Sequence, residues 1–483
     1  MITHPLPDGE TPSPDYLVSM NGQSVPVYSC RVSAIPFNTE WPGHQRPLDQ
    51  TETAAFLCLD IAEDEAGAMM EITVPRGFGD VVMRPLSKTT GAYAVEKNIV
   101  RFKIPGPGSY TLEADGHHHA LHIFVNPAKD YGVRADDPNV LWFGPGTHRP
   151  GNIELRSGQT LFIDAGAVVH ASVTAQHASN LKILGHGILC NSEFDRANED
   201  TGRPKGTSVI FTDCANIEVD GVVFRDASYW TLTLFSCDNI VVNNVKLVGM
   251  WRHNADGIDL VNCRNAIVSG CFVRTFDDGV VLKGYTHILG EKKAQNVENI
   301  LVERCTVWCD WGRALEIGAE TGAPEFRNIT FRDCDLIHNA HVAMDIQNSG
   351  FAHVHRVAFE DIRVEYSRHC DPPQLQTGGG VAYVPAKEPH VPVLMCSVLY
   401  RHYLDMLMPG HELGRTSDIV FDGIHVTADE GLPVPLSAME GFDEQHTTSG
   451  VTIRNLWFNG QRLRDREQAN VLVGKHARDI RVE

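Results

Sequence analysis

An asparagine followed by a short apolar run, a polar turn and a second apolar run returns from about residue 153 almost to the end of the chain. The copies read ASNLKILGHGIL, CANIEVDGVVF, CDNIVVNNVKL, CRNAIVSGCFV, VENILVERCTV and FRNITFRDCDL, with looser ones later (HRVAFEDIRV, SDIVFDGIHV, SGVTIRNLWF and ARDIRVE). The asparagines are Asn180, Asn216, Asn239, Asn265, Asn299 and Asn328, separated by 36, 23, 26, 34 and 29 residues. A base unit near 23 residues with strands of three to six residues and no helical periodicity is too short for a propeller blade, and it lacks the leucine spacing of a leucine-rich repeat. It predicts a right-handed parallel β-helix, in which each coil buries its apolar face only against its neighbours. The asparagines are expected as an inward-facing ladder of turn amides hydrogen-bonded along the axis. Cys214, Cys237, Cys263, Cys271, Cys305 and Cys334 recur at one place in the unit, as small buried hydrophobes do.

Residues 1–128 lack the repeat. Alternating runs such as TAAFLCLDI, MMEITV, NIVRFKI, SYTLEA and ALHIFV, separated by Gly, Pro and Asp, predict an antiparallel β-sandwich. The run His117, His118, His119 lies between two of these strands and reads as a polar hairpin turn, not a metal site. Residues 129–152 are rich in Pro, Gly and Asp and read as a connector with one or two short strands. The expected fold is therefore all-β: a sandwich over 1–128, a connector, and a β-helix over 153–483. Insertions follow Asp278 and Asp310, and the longest lies near 367–415. Insertions on one face of a repeat line its binding surface, so the longest is expected to form a wall or lid.

The formal net charge of −20 argues against nucleic acid and anionic membranes as partners and weighs mildly against a polyanionic substrate. No run of eighteen apolar residues suggests a membrane span. The opening MITHPLPDGETPSPDYLV has neither a basic segment nor an apolar one, and twelve cysteines are too sparse for a disulfide scaffold; a cytoplasmic setting is the expectation. Neither a cofactor nor a metal is expected.

The stretch 254–284, NADGIDLVNCRNAIVSGCFVRTFDDGVVLKG, holds the residues most suited to chemistry. Asp256 and the pair Asp277 and Asp278 are separated by 21 residues, about one coil, which brings them onto neighbouring strands roughly 5 Å apart. Burying carboxylates in an apolar interior is costly, so the three are expected to face outward into a groove. A single surface Asp-Gly is ordinary turn chemistry. Three acids one coil apart, flanked by Trp251, Arg252, His253, Lys283 and Tyr285, point instead to acid/base cleavage of a glycosidic bond. Acids crowded this closely cannot all ionise freely, so one becomes a proton donor near neutral pH.

The blocks N-A-D-G-I-D and D-D-G-V-V-L-K-G resemble the N-T-D and D-D…K-S-G blocks of glycoside hydrolase family 28, the polygalacturonase and rhamnogalacturonase family of right-handed β-helices. The resemblance covers roughly 150–480. A sandwich before the helix is also similar to the layout of family 49 dextranases and isopullulanases. The resemblance implies an inverting hydrolase with a carbohydrate substrate, Asp277 as general acid, and Asp256 and Asp278 holding and deprotonating the attacking water. Asn254, His253 and Tyr285 beside these acids are candidate substrate contacts, and Lys283 is expected to stabilise the paired acids or contact substrate. One coil further, W-G-R-A-L-E-I-G places Arg313 where polygalacturonases carry a histidine, with Glu316 on the same face. The next coil, V-A-M-D-I-Q-N-S-G, places Asp345 and Gln347 where they carry an arginine and a lysine that grip a uronate. Losing two cations and gaining an acid points to a neutral sugar, with α-linkage the expected type. The Gly-His-Gly at 185–187 lies about three coils too early and reads as a turn. Trp251, Trp311, Tyr229 and Trp230 are candidates for stacking on sugar rings. Three other readings stay open: a pectin-related hydrolase of rhamnogalacturonan or galacturonan type, a β-helix lyase or intramolecular fructotransferase, and a non-catalytic glycan-binding solenoid.

Overall fold

The computed structural model describes residues 2–33, 51–62, 65–195, 206–286, 295–370 and 390–483, together with the backbone of short strands at 38–39, 287–288, 292–293 and 375–376. Part of the insertion expected as a wall or lid, 371–374 and 377–389, lies outside the described residues, as do 289–291 and 294 in the insertion after Asp278.

The N-terminal part is a sandwich of two five-stranded sheets. Val18, Met20, Ile72 and Phe102 from one sheet meet Leu57, Leu112 and Ile123 from the other in a closed apolar core. The expected all-antiparallel pairing needs one correction: Thr51–Ile61 and Leu121–Pro127 run parallel. Parallel neighbours need a crossover of a dozen or more residues. Residues 62–120 supply it by building strands of both sheets before returning. The histidine run is a turn, with His118 Nδ1 3.0 Å from Glu52 and the His119 carbonyl accepting from Tyr16 Oη at 2.7 Å.

Among the described residues the remainder is a parallel β-helix whose continuous sheet has 31 strands, from Val140–Phe143 to Ala477–Val482, with Gln461–Leu463 turning back antiparallel on Thr448–Phe458. It begins inside the stretch read as connector. Gly146–Glu154 pairs in parallel with Ala167–Gln176 across an irregularity between His148 and Gly151. That bulge takes up Arg149 and Pro150, and pairing resumes at Gly151 opposite Ala171, which is how a strand runs through residues that look like loop in the sequence.

In-register pairing stacks like on like. Leu181, Ile217, Ile240, Ala266, Ile300 and Ile329 form one column through the core, each nearly fully buried. Each such aliphatic contributes roughly 1.5–3 kcal/mol relative to exposure. The cysteines form two stacks rather than one, Cys214/Cys237/Cys263 before the asparagine strand and Cys271/Cys305/Cys334 after it, all buried and free.

The asparagine ladder exists but faces outward. Asn216 Nδ2 donates to Asn180 Oδ1 at 3.1 Å, Asn239 to Asn216 at 3.1 Å, Asn299 to Asn265 and Asn328 to Asn299 at 3.0 Å. Between Asn239 and Asn265 it is broken, and Asn265 donates to Asp238 instead. All six side chains are exposed, and all six have φ between 54° and 57°. Later coils place Arg356, Asp418, Gly450 and Asp479 at the matching position, again with positive φ. The left-handed conformation is what selects Asn, Asp and Gly here, because it costs other side chains about 1–2 kcal/mol.

The sandwich packs along the helix through Cys30, Phe56 and Phe124 against Val223, Val248, Phe272 and Trp308. At this seam buried Arg274 lies over the Trp308 ring at 4.0 Å and meets His122 Nε2 at 3.1 Å. Phe272 and Arg274 belong to Phe272–Thr275, the strand that runs into Asp277. The sandwich thus clamps from outside the strand that positions the acid pair.

Candidate active site

Asp256 precedes strand Ile258–Val261, and Asp277 and Asp278 sit between Phe272–Thr275 and Val280–Gly284. Pairing of Ile258 with Val280, and of Val280 with Leu315, brings Asp256, Asp278 and Arg313 into line on three successive coils. The glycines after the acids let these coils approach. A β-carbon on Gly257 would overlap the Gly279 carbonyl oxygen, and one on Gly279 would overlap that of Ala314. In return Gly257 N donates to Asp278 O at 2.9 Å and Gly279 N to Arg313 O at 2.7 Å.

Lys283 is the centre of the cluster. Its Nζ lies 2.8 Å from Asp256 Oδ2, 3.3 Å from Asp278 Oδ2 and 3.5 Å from Asp259 Oδ1. It also stands 4.4 Å from the centroid of the Trp230 ring. Asp277 Oδ2 accepts the Asn254 backbone N–H at 3.3 Å, and Asp278 Oδ1 accepts that of Arg313 at 3.3 Å. The Arg313 guanidinium spans from Asp278 Oδ1 at 4.0 Å to Asp345 Oδ2 at 3.5 Å. Gln347 Nε2 donates to Glu316 Oε1 at 2.9 Å and to Asp345 Oδ2 at 3.0 Å, and Tyr400 Oη donates to Gln347 Oε1 at 2.6 Å.

The expected open groove needs correction. Asp256, Asp277 and Asp278 are only 1%, 6% and 7% exposed. Lys283, Trp230 and Arg313 cover them, so the carboxyls form a desolvated wall rather than a solvated one. In this cluster Lys283 and Arg313 face seven buried carboxyls: Asp256, Asp259, Asp277, Asp278, Glu316, Glu320 and Asp345. Two cations do not hold seven carboxylates ionised in low dielectric. Burial and then the Asp278 charge push Asp277 up to about 8. Burial acts on Asp278 too, but Lys283 and Arg313 outweigh it and hold this carboxyl below the usual range. Burial raises Asp256 and Asp259, with carboxyl neighbours adding to it. Burial and Asp278 raise Glu316, and Asp345 rises to about 6 for the same reasons. Desolvation works against the Lys283 ammonium, yet Asp256 and Asp278 raise it above its ordinary value. One wall therefore holds a protonated acid beside an ionised one.

Around this centre the structure brings together Asn254, Lys283, Arg313, Glu316, Asp345 and Gln347. Trp311, half-buried, stacks on Phe276 and meets the His253 ring edge-on at 5.5 Å. Tyr285 Oη donates to Glu320 Oε1 at 3.2 Å. Half-buried Tyr229 stacks on Trp230, whose ring covers Lys283. Trp251 does not belong. It is 2% exposed and sits at the domain seam, with Arg252 at 4.4 Å and Arg31 at 5.0 Å from its ring. Arg31 comes from the sandwich, a long-range partner that no local pattern announces. The Gly-His-Gly at 185–187 is a bend whose His186 pairs with Asp60 of the sandwich at 2.9 Å.

Asp259, Glu320 and Tyr400 are members that the sequence reading left out. Asp259 was visible in principle: it lies three residues after Asp256 and pairs with Val281, in the row that continues through Glu316 and Asp345. Tyr400 lies within the stretch 367–415 read as an insertion; part of that stretch, Val393–Leu399, is a coil strand that pairs with Val342–Asn348 and brings Tyr400 to the site.

Parts of the chain are similar to known proteins in sequence and in fold. Residues 148–369 match the model of glycosyl hydrolases family 28. A segment of 114 residues, 23% of this chain, is 28% identical to an exopolygalacturonase of Arabidopsis thaliana and spans 24% of that relative's length. Dex49A from Penicillium minioluteum superposes with a TM-score of 0.57 over 96% of this chain and 91% of that one, at 14% identity, which is a likeness of fold. A hyperthermoactive exopolygalacturonase from Thermotoga maritima gives a TM-score of 0.49 at 15% identity, covering 71% of this chain and 83% of that one.

Proposed function

Because the chain carries a β-helix like that of glycosyl hydrolases family 28, we propose that it is an inverting glycoside hydrolase acting on a neutral poly- or oligosaccharide, with an α-linked bond the expected target. The observation that carries this reading is the opposed character of adjacent Asp277 and Asp278, one pushed up to about 8 and the other held low. Asp277 gives its proton to the glycosidic oxygen as the bond to the anomeric carbon breaks. Asp278, with Asp256 beside it on Lys283, orients a water on the opposite face of the sugar and takes its proton as the new bond forms. Burial strengthens both roles, since no bulk water screens the charge that develops.

The preference for a neutral sugar rests on the cations. In this cluster Lys283 already serves Asp256, Asp259 and Asp278, and Arg313 already lies between Asp278 and Asp345. A uronate here would meet more carboxyls than cations. The identity to an exopolygalacturonase favours a second reading, a galacturonan-type substrate.

A panel separates the two readings. Neutral α-linked oligosaccharides and galacturonate oligomers are offered at equal concentration, and reducing ends and absorbance of unsaturated sugars are followed. The expected result is new reducing ends from a neutral substrate without unsaturated product. Faster cleavage of galacturonate oligomers would replace the neutral reading with the second one, and unsaturated product would replace hydrolysis with elimination.

A further inference from the structure

Away from the acid cluster, on the outer wall of the helix, the sequence H-V-H puts His353 and His355 two residues apart on strand His353–Glu360. Alternate residues on a strand point to the same side. Their rings stack at 4.1 Å between centroids. Glu325, the register partner of His353, lies on the preceding coil. Ligand atoms of the three side chains all fall within 4.8 Å of one another.

The three groups are held for one another. Glu325 Oε2 is engaged by Arg327 Nη1 at 3.1 Å and by Asn296 Nδ2 at 3.3 Å. This leaves Oε1 turned to the rings, 3.4 Å from His355 Nε2. That nitrogen is buried and makes no hydrogen bond. Arg327 is in turn paired with Glu298 at 2.6 Å, which spreads its charge over two carboxylates. His353 Nε2 lies 2.8 Å from Ser417 Oγ on the following coil, which fixes that ring. A carboxylate steadied on one oxygen and an imidazole steadied by a hydroxyl are how outer partners orient metal ligands.

We infer that Glu325, His353 and His355 form a binding site for a divalent transition-metal ion of the zinc class, independent of the hydrolytic centre. Two imidazoles and one carboxylate suit a borderline ion and leave one position for water. Around a tetrahedral ion with bonds of about 2.0–2.1 Å the ligand atoms stand roughly 3.3 Å apart, so the side chains close slightly on binding. Glu325 follows the strand of Arg313 and Glu316, and His353 follows the strand of Asp345 and Gln347. A bound ion therefore staples the two coils that form the far side of the acid cluster.

The test uses tag-free, chelator-treated full-length protein titrated with Co²⁺ and then Zn²⁺, alongside Glu325→Gln and His355→Gln. The expected result is one equivalent of Co²⁺ with a strong visible band of tetrahedral type, displaced by Zn²⁺. Each variant should lose that equivalent or weaken it at least about tenfold. Zinc should also raise the melting temperature of the parent protein and not that of His355→Gln. Circular dichroism and apo melting of the variants confirm that they fold. Absence of the cobalt band in the parent, or an unchanged band in both folded variants, overturns the site.

Discussion

Asp277→Asn lowers kcat by roughly a thousandfold or more while leaving the Kd for an oligosaccharide within a few-fold, as measured by calorimetry with a slowly cleaved substrate. The amide keeps the shape of the side chain and still offers an oxygen to the Asn254 N–H, so the fold and the pocket persist. It has no proton of the right acidity to give. The parent enzyme should lose kcat/KM as pH rises through about 8, the value to which Asp277 is pushed, and the residual activity of the variant should lack that limb. Stability carries the same signature. A carboxyl raised in the folded state adds stability that is fully present below its unfolded value near 4 and is lost as pH rises through about 8. Asp277→Asn therefore flattens the stability profile over that window and gains on the parent at alkaline pH. Near-normal turnover in this variant removes Asp277 from the role of acid.

Lys283→Met has the second large effect, and it falls on stability as well as rate. The ammonium lies within 3.5 Å of Asp256, Asp259 and Asp278, and it is buried. Removing one partner from a buried charge cluster costs about 3–5 kcal/mol, because the remaining carboxylates have no water to turn to. The sign with pH is the reverse of that for Asp277. Asp278 is held below its ordinary value, so its contribution is present above about 4 and lost as pH falls through the lower folded value. The penalty of Lys283→Met is thus largest at neutral pH and shrinks on acidification. Denaturant melts at pH 7 and pH 4 measure it. An equal loss at both values contradicts the role given to Lys283.

The parts of this architecture that depend on repetition were legible in the chain. The spacing of about one coil between Asp256 and the acid pair was read from the chain, and the register, at 22 residues, sets Asp278 and not Asp277 directly beside Asp256. The same logic led to Arg313, Glu316, Asp345 and Gln347 on the next two coils. The parts that depend on long-range packing were not. Trp251 looked available to a sugar, but its neighbour at the seam, Arg31, is far away in sequence. The asparagines announced a ladder, yet their direction is set by a positive φ, which amino-acid type suggests and only the backbone reveals. The burial of the acids was missed because Lys283 and Arg313 allow carboxyls to be covered where unpaired ones would stay wet. Tyr400 was missed because the stretch 367–415 reads as one insertion, although Val393–Leu399 within it is a coil strand.

In the proposed mechanism Asp277 and the Asp256/Asp278 pair work from opposite faces of the sugar in a single displacement. Proton NMR of the first product released by the parent enzyme from a cleaved oligosaccharide tests it most directly. The new reducing end is expected first as the anomer opposite to that of the bond cleaved, before mutarotation. Initial release of the same anomer as in the substrate would rule out the single displacement, because it requires a covalent intermediate in place of the activated water.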